Sequence, residues 1–182
     1  MTSVRIWGTG VGAVVVLVAT GVWARGSSAV DAGLWAQVRP AIEARLVTEM
    51  TGSGYAETDE PALRARWFCR AEALELEESG GRVRAGIDTL CLEYGADGGT
   101  LVECSGAQTP QVVRLVRDPA NGGFRVLSAQ EPPDGEGYGE WEETHFRPYA
   151  AARLDREMPS ATLRAAARTH FGLPAGAPVR DC

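Results

Sequence analysis

Lysine is absent from this sequence. All 18 basic residues are arginine, against 24 Asp and Glu residues, which leaves a net charge of −6. An all-arginine set indicates GC-rich codon usage rather than chemistry that requires arginine. Along the sequence the arginines form no cluster, whereas a protein that binds nucleic acid needs a clustered basic face for the phosphates. The acidic balance therefore argues against nucleic acid as a partner.

Motifs that carry catalysis or bind metal are also missing. The chain has only two histidines, no G-x-S-x-G nucleophile motif and no cysteine in a protease motif. It has no C-x-x-C, H-E-x-x-H or EF-hand spacing, so we expect no metal site. The glycines at residues 8–12 lack a following basic residue and predict no phosphate cradle. We expect no cofactor.

One long apolar segment is present. Residues 6–24 are 19 uncharged, mostly apolar residues between two arginines, and this length crosses a bilayer as a helix. A signal peptide cleaved after Ala29 is one interpretation. A membrane anchor is favoured, because the apolar part of a signal peptide usually has only about 7–15 residues. Both interpretations export the rest of the chain, which is then secreted or held at the cell membrane by a single span. The predicted organisation is an anchor or signal peptide at 1–25, a linker at 26–30 and an exported domain at 31–182.

The periodicity of the exported part predicts an α+β domain. Apolar residues recur at every fourth position from Leu34 to Met50, which marks one face of a helix capped by Asp31, and Pro40 should kink or restart it. About five antiparallel strands in a meander are predicted next, at 66–77, 82–94, 99–104, 111–117 and 124–130. A helix packed on a curled sheet, in a cystatin-like or NTF2-like arrangement, would bury these apolar faces.

The C-terminal part is predicted to be helical after a loop rich in glycine and proline, at residues 131–140. Gly135 in this loop should adopt a positive φ in a turn. Short helices are expected around Pro148, which suits a first helical position, and after Ser160, with Gly172 ending the second.

Aromatic side chains next to this loop are the candidate binding residues. If the domain holds a small ligand, the concave side of the sheet is the expected pocket, and Tyr138, Trp141 and His145 could close over it. The competing interpretation, which we favour, is that Trp141 and Phe146 pack the loop onto the core. A hydrolase using His145 as a base with carboxylates from residues 72–78 is the alternative activity. The acidic run is more simply the charged outer face of a strand.

Four cysteines in an exported chain predict two disulfides, with three connectivities. The Asp97-Gly98 pair is a strong signal for a two-residue hairpin turn, and that turn would place Cys91 opposite Cys104. A three-residue turn at residues 79–81 would place Cys91 opposite Cys69 instead. Spacing alone leaves both neighbours of Cys91 open.

Several motifs resemble a group of exported bacterial α+β proteins with no assigned activity. They are FCRAEAL, LCLEY, SGAQTPQVVRL and EPPDGEGYGEWEETHF, within residues 67–154. The group carries the equivalents of Cys69 and Cys91 without the other two cysteines. The resemblance therefore implies a Cys69–Cys91 disulfide and a second disulfide, Cys104–Cys182, added in this chain. It implies no activity or functional residue.

These features favour a non-enzymatic domain at the cell envelope with a binding or accessory role. The expected partners are the membrane, through residues 6–24, and a protein or small ligand that the sequence does not identify. The alternative is the envelope hydrolase described above.

Overall fold

The computed structural model describes residues 30–182, so the predicted anchor or signal peptide at residues 6–24 lies outside the described residues. The domain is α+β, as expected. Of the helices in residues 30–182, none combines the length and the hydropathy needed to cross a bilayer. In chain order the elements are α1 (Ala32–Met50), α2 (Tyr55–Asp59), a 3₁₀ turn (Pro61–Leu63), β1 (Arg66–Ser79), β2 (Arg82–Asp97), β3 (Thr100–Arg117), β4 (Phe124–Gln130), α3 (Tyr138–His145), α4 (Pro148–Leu154), α5 (Ala161–His170) and β5 (Val179–Asp181).

Helix α1 forms as its periodicity predicts. Asp31 is the N-cap, and its Oδ1 accepts a hydrogen bond from the backbone N–H of Leu34 at 2.7 Å. The positions facing the sheet are buried: Leu34, Val38, Ile42 and Leu46. Pro40 lies inside this single helix, so of the two expectations, a kink or a restart, the restart does not occur. The helix continues through the proline because the buried positions on both sides of it pack into one core.

The five strands form one mixed sheet rather than a five-stranded antiparallel meander. The order is β1-β2-β3-β4, and β5 pairs in parallel with the start of β3. The two strands predicted at 99–104 and 111–117 are one long strand, β3, which passes through Pro110. One side of β3 pairs with β2. On its other side, the partners within residues 30–182 are β5 at Leu101–Glu103 and β4 from Val112 onward. Pro110 lies opposite Asp88 of β2 but between the segments that pair with β5 and β4, and proline is tolerated where one side of a strand has no partner.

The β1–β2 hairpin has the predicted pairing of Cys69 with Cys91, but a different turn produces it. Its turn has two residues, Gly80 and Gly81, with φ of +57° and +72°, not three. A bulge between Ala73 and Glu75 then shifts the pairing by one residue, so that Cys69 lies opposite Cys91. The prediction of opposed cysteines was right although the predicted turn was wrong.

Both disulfides that the resemblance implied are present. Cys69 and Cys91 are joined across β1 and β2 with their Cα atoms 4.1 Å apart. The β2–β3 turn consists of Gly98 and the following glycine, and a bulge between Leu92 and Tyr94 then shifts the pairing by one residue, so that Ala107 lies opposite Cys91. Cys104 is thereby left for Cys182, and their disulfide ties β3 to the residue that follows β5.

Helices cover both faces of the sheet, because side chains alternate between faces along each strand. On one face, Ile87 and Val113 join the buried stripe of α1 in the main core cluster. On the other face, Leu90 packs with Leu163 of α5, and Leu74 of β1 packs with Ala150 of α4. The sequence analysis anticipated the first layer and the existence of the C-terminal helices, but not that they cover the opposite face.

Candidate functional site

The predicted binding residues Trp141 and His145 do lie together, on α3. Their rings stack with centroids 4.3 Å apart, and His145 Nδ1 is 2.8 Å from the carbonyl oxygen of Trp141. Trp141 also meets the ring of Phe146 edge-on at 5.8 Å and packs against the cluster that contains Leu74. This is the contact that the packing interpretation of Trp141 predicts.

Tyr138, the third predicted binding residue, begins α3 and is 38% exposed. Partial burial raises the pKa of its hydroxyl, and the negative charges of Glu142 and Asp88 raise it further. Tyr138 therefore faces carboxylates rather than the Trp141–His145 stack. None of the three predicted residues lines the cavities that we describe in residues 30–182.

The acidic side chains of β1 are each engaged by an arginine. Glu72 pairs with Arg70, Glu77 with Arg147 and Glu78 with Arg117, while Glu75 accepts from Arg84 at 3.2 Å and from the backbone N–H of Arg147 at 2.9 Å. Among the described residues, the hydrogen-bond partner of the His145 ring is a backbone carbonyl, not a carboxylate. In residues 30–182 no hydrogen bond joins the His145 ring to a carboxylate, and a hydrolase that uses His145 as a base stays a prediction.

A cavity that the sequence analysis did not foresee lies near the β1–β2 turn, on the sheet face opposite α1, where Arg84 contacts the carbonyl oxygen of His145. Its volume is about 360 Å³. Its wall includes Arg82 and Arg84 of β2, Arg114 of β3 and Leu127 of β4. We call these four residues the arginine corner. Leu127 is 48% exposed, so an apolar surface stands beside the three guanidinium groups.

The charge of the arginine corner is only partly compensated. Arg84 lies directly opposite Arg114 in the β2–β3 ladder, and like charges in such a pair are unfavourable. Glu75 and the carbonyl oxygen of His145 hold the guanidinium of Arg84. Within residues 30–182, the guanidiniums of Arg82 and Arg114 make no hydrogen bond or ion pair. Two exposed positive charges are therefore free to bind an anion.

The strand register explains why the sequence analysis missed this site. The arginines are 30 residues apart in sequence, and only the correct pairing of β2 with β3 brings Arg84 opposite Arg114. The predicted register, closed by Asp97-Gly98, would have paired Arg84 elsewhere. The available signal was the alternation of Arg82 and Arg84 around Val83, which puts both arginines on one face of β2.

A second, smaller cleft of about 130 Å³ contains a buried aspartate. Asp88 of β2 is 3% exposed and lines the cleft with Glu72, Arg153 and Arg156. Gln108 Nε2 donates to Asp88 Oδ2 at 2.7 Å. Burial raises the pKa of Asp88 to about 6, although the hydrogen bond from Gln108 opposes the shift. A carboxyl with this pKa can exchange a proton near neutral pH.

No group of three or more His, Cys, Asp or Glu side chains in residues 30–182 is arranged to hold a metal ion. Comparison of this chain with protein-family models, with curated proteins and with solved structures finds no match. The function is therefore argued from the geometry of the arginine corner and of the Asp88 cleft.

Proposed function

We propose that the protein is a non-enzymatic binding domain that works outside the cytoplasm and takes an anionic ligand at the arginine corner. The observation that carries the proposal is a cavity of about 360 Å³ with two guanidiniums, Arg82 and Arg114, that make no hydrogen bond or ion pair within residues 30–182. Glu77 also lies in the cavity wall, and its carboxylate pairs with Arg147. Guanidinium groups bind carboxylate and phosphate through paired, charge-assisted hydrogen bonds. Leu127 adds an apolar wall, which suits an anion that carries a short apolar part.

Two disulfides support the location, because such bonds persist in oxidising compartments and are rare in the cytosol. In the proposal the segment at residues 6–24 exports the domain. It acts as a membrane anchor in the favoured form and as a cleaved signal peptide in the other. The helix α1 against a curved sheet also fits a cystatin-like or NTF2-like arrangement, which is the finer fold that we propose.

Titration calorimetry of the full chain with inorganic phosphate and with hexanoate tests the ligand class. Arg114→Gln removes one uncompensated guanidinium and should weaken binding by about 10-fold or more, the scale of a charge-assisted hydrogen bond. Arg39→Gln is the matched control, because Arg39 is an exposed arginine on α1, across the sheet from the corner. The proposal fails if neither anion binds, or if the Arg114 variant binds as tightly as the Arg39 variant.

A hydrolase remains the second candidate, with Asp88 in the role that the sequence analysis gave to His145. The observation that favours it is the raised pKa of Asp88, about 6, in a cleft that also contains Glu72. Any hydrolytic activity found in the purified chain should then be abolished in Asp88→Asn and retained in His145→Ala. Full activity of Asp88→Asn would exclude this mechanism.

A further inference from the structure

The arginine corner lies at the same end of the sheet as the beginning of α1. Gly52, just past α1, and Trp67 of β1 both donate to the carboxylate of Glu57, at 2.6 Å and 3.2 Å. Helix α1 therefore ends near the start of β1. Its 19 residues span about 28 Å, so it runs along the sheet toward the β1–β2 turn and begins in the half of β1 nearer that turn. Leu34, in its first turn, accordingly shares a core cluster with Val83.

Positive charge is concentrated at this end of the sheet. Residues 77–84 and 114–125, together with Asp31 at the start of α1, carry five arginines against four acids, an excess of one in a chain whose net charge is −6. One of these arginines, Arg117, lies over the ring of Phe124 at 4.7 Å, which keeps its side chain at the sheet end. The acids are partly occupied, since Glu77 pairs with Arg147. The end of the domain from which the N-terminal segment departs is thus its cationic end.

We infer that the arginine corner docks onto the phosphate groups of anionic phospholipids in the membrane to which the chain is attached. The inference rests on the anchor form of the proposed function, in which residues 6–24 span the bilayer. Five residues, 25–29, lie between that segment and the first described residue, and five extended residues reach at most about 18 Å. The short connection holds the cationic end of the domain near the headgroups.

The energetics favour a membrane surface as the occupant of the corner. Anionic headgroups attract each nearby arginine, and the contributions of several arginines add. The exposed Leu127, at 48%, can enter the interfacial region while Arg82 and Arg114 bind phosphate oxygens.

Arginine footprinting tests the inference on the full chain. The protein is reconstituted in vesicles of phosphatidylcholine alone and of phosphatidylcholine with phosphatidylglycerol, at about a 7:3 ratio, and treated with phenylglyoxal before mass spectrometry. Arg82 and Arg114 should react about fivefold more slowly in the anionic vesicles, and high salt should remove the protection. Arg66 is the internal control, since it is exposed and pairs with Tyr94 at the far end of the β1–β2 ladder; its reactivity should be equal in both vesicles.

A third arm adds inorganic phosphate to the phosphatidylcholine vesicles. Protection of Arg82 and Arg114 by free phosphate, without protection by phosphatidylglycerol, would overturn the lipid inference and leave the proposed function standing. Protection in neither arm would overturn both.

Variants supply an independent readout of docking. Hydrogen exchange at the β1–β2 turn should slow in anionic vesicles for the wild type and for Arg66→Gln, and should not slow for the Arg82→Gln, Arg114→Gln double variant. These arginines are exposed, so the variants keep the fold. Slowed exchange in the double variant would contradict the assignment.

Discussion

A single buried carboxyl, Asp88, makes the stability of the domain depend on pH. Its pKa in the folded protein is about 6, against an ordinary value of 3.8, so the folded state holds the proton more tightly than the unfolded chain. The contribution of Asp88 to the free energy of unfolding is therefore fully present below about pH 4, and it is lost as the pH rises through 6 and the carboxyl ionises. Desolvation is the largest cause of the raised pKa, the charges of Glu72 and Glu142 add to it, and the hydrogen bonds from Gln108 and the Thr89 backbone oppose it. Arg153 and Arg156 line the same cleft.

Asp88→Asn should remove this pH dependence. The neutral amide can still accept from Gln108, so relative to wild type the variant should gain about 2–3 kcal/mol of unfolding free energy between pH 4 and pH 7. Urea unfolding at the two pH values measures the difference. Asp134→Asn, in an exposed loop position, should follow the wild type at both. A constant offset between Asp88→Asn and wild type would show that Asp88 does not titrate with a raised pKa.

At the scale of the element, a buried carboxylate positions α2. Glu93 of β2 is fully buried, and its two oxygens accept from the backbone N–H groups of Ala56 at 3.2 Å and Glu57 at 2.8 Å. These groups belong to the first turn of α2, where a carboxylate is favourable. The approach is close because residue 54 is glycine: a Cβ at Gly54 would lie 2.3 Å from the Glu93 carboxyl.

Gly54→Ala should therefore destabilise the domain by about 2–4 kcal/mol, because the methyl group displaces the carboxylate from the buried N–H groups. Gly139→Ala is the matched control. Gly139 lies in α3, where an added Cβ meets nothing within 4 Å, so alanine there should be neutral or stabilising by up to about 1 kcal/mol. The midpoints of urea unfolding compare the two variants. Equal midpoints would show that Glu93 does not hold α2 through this contact.

The elements that local sequence pattern determines were predictable, and those that depend on distant pairing were not. The stripe from Leu34 to Leu46 and the positive φ of Gly135, +72°, follow from residues close in sequence. The β3 strand was split in two because Pro110 is a breaker unless one side of the strand is unpaired. The parallel strand β5 has only three residues and no pattern of its own.

The arginine corner could not be predicted from the sequence for the same reason, because it depends on the pairing of strands that are distant in sequence. Tyr138, Trp141 and His145 were singled out because they are close together in sequence, and two of them do stack. The arginine corner depends on the register of β2 with β3, and a turn placed one residue away changes which arginines meet. The two-residue turn at Gly98 and the bulge between Leu92 and Tyr94 set that register. Local propensity therefore predicts the helices. The charge on a sheet face can be predicted only when the register of the paired strands is known.

At the scale of the whole molecule, the disulfides connect stability to compartment. The Cys69–Cys91 bond closes a loop of 22 residues and the Cys104–Cys182 bond a loop of 78. In the chain-entropy model these loops contribute about 3 and about 4–5 kcal/mol. Their sum is comparable to the total stability of a typical domain, about 5–15 kcal/mol. The fold should consequently depend on an oxidising environment.

Reduction of both disulfides should therefore bring the domain close to unfolding. Two double variants should separate the contributions of the two disulfides to the unfolding free energy.

The Cys104→Ala, Cys182→Ala variant releases the longer loop and frees β5 from the edge of β3, while the helix layers on both faces stay packed. Cys69→Ala, Cys91→Ala releases the shorter loop but also removes sulfur atoms from the core, where Cys91 is 4% exposed, so a packing loss adds to its smaller entropic cost. Each pair should lower the unfolding free energy by about 3–5 kcal/mol while the transition stays cooperative. Circular dichroism across a urea titration gives the unfolding free energies of the two paired variants and of the wild type, the last with and without reductant. A reduced wild type with the midpoint of the oxidised protein would show that neither bond is needed for the fold, and the argument for an oxidising compartment would lose its physical basis.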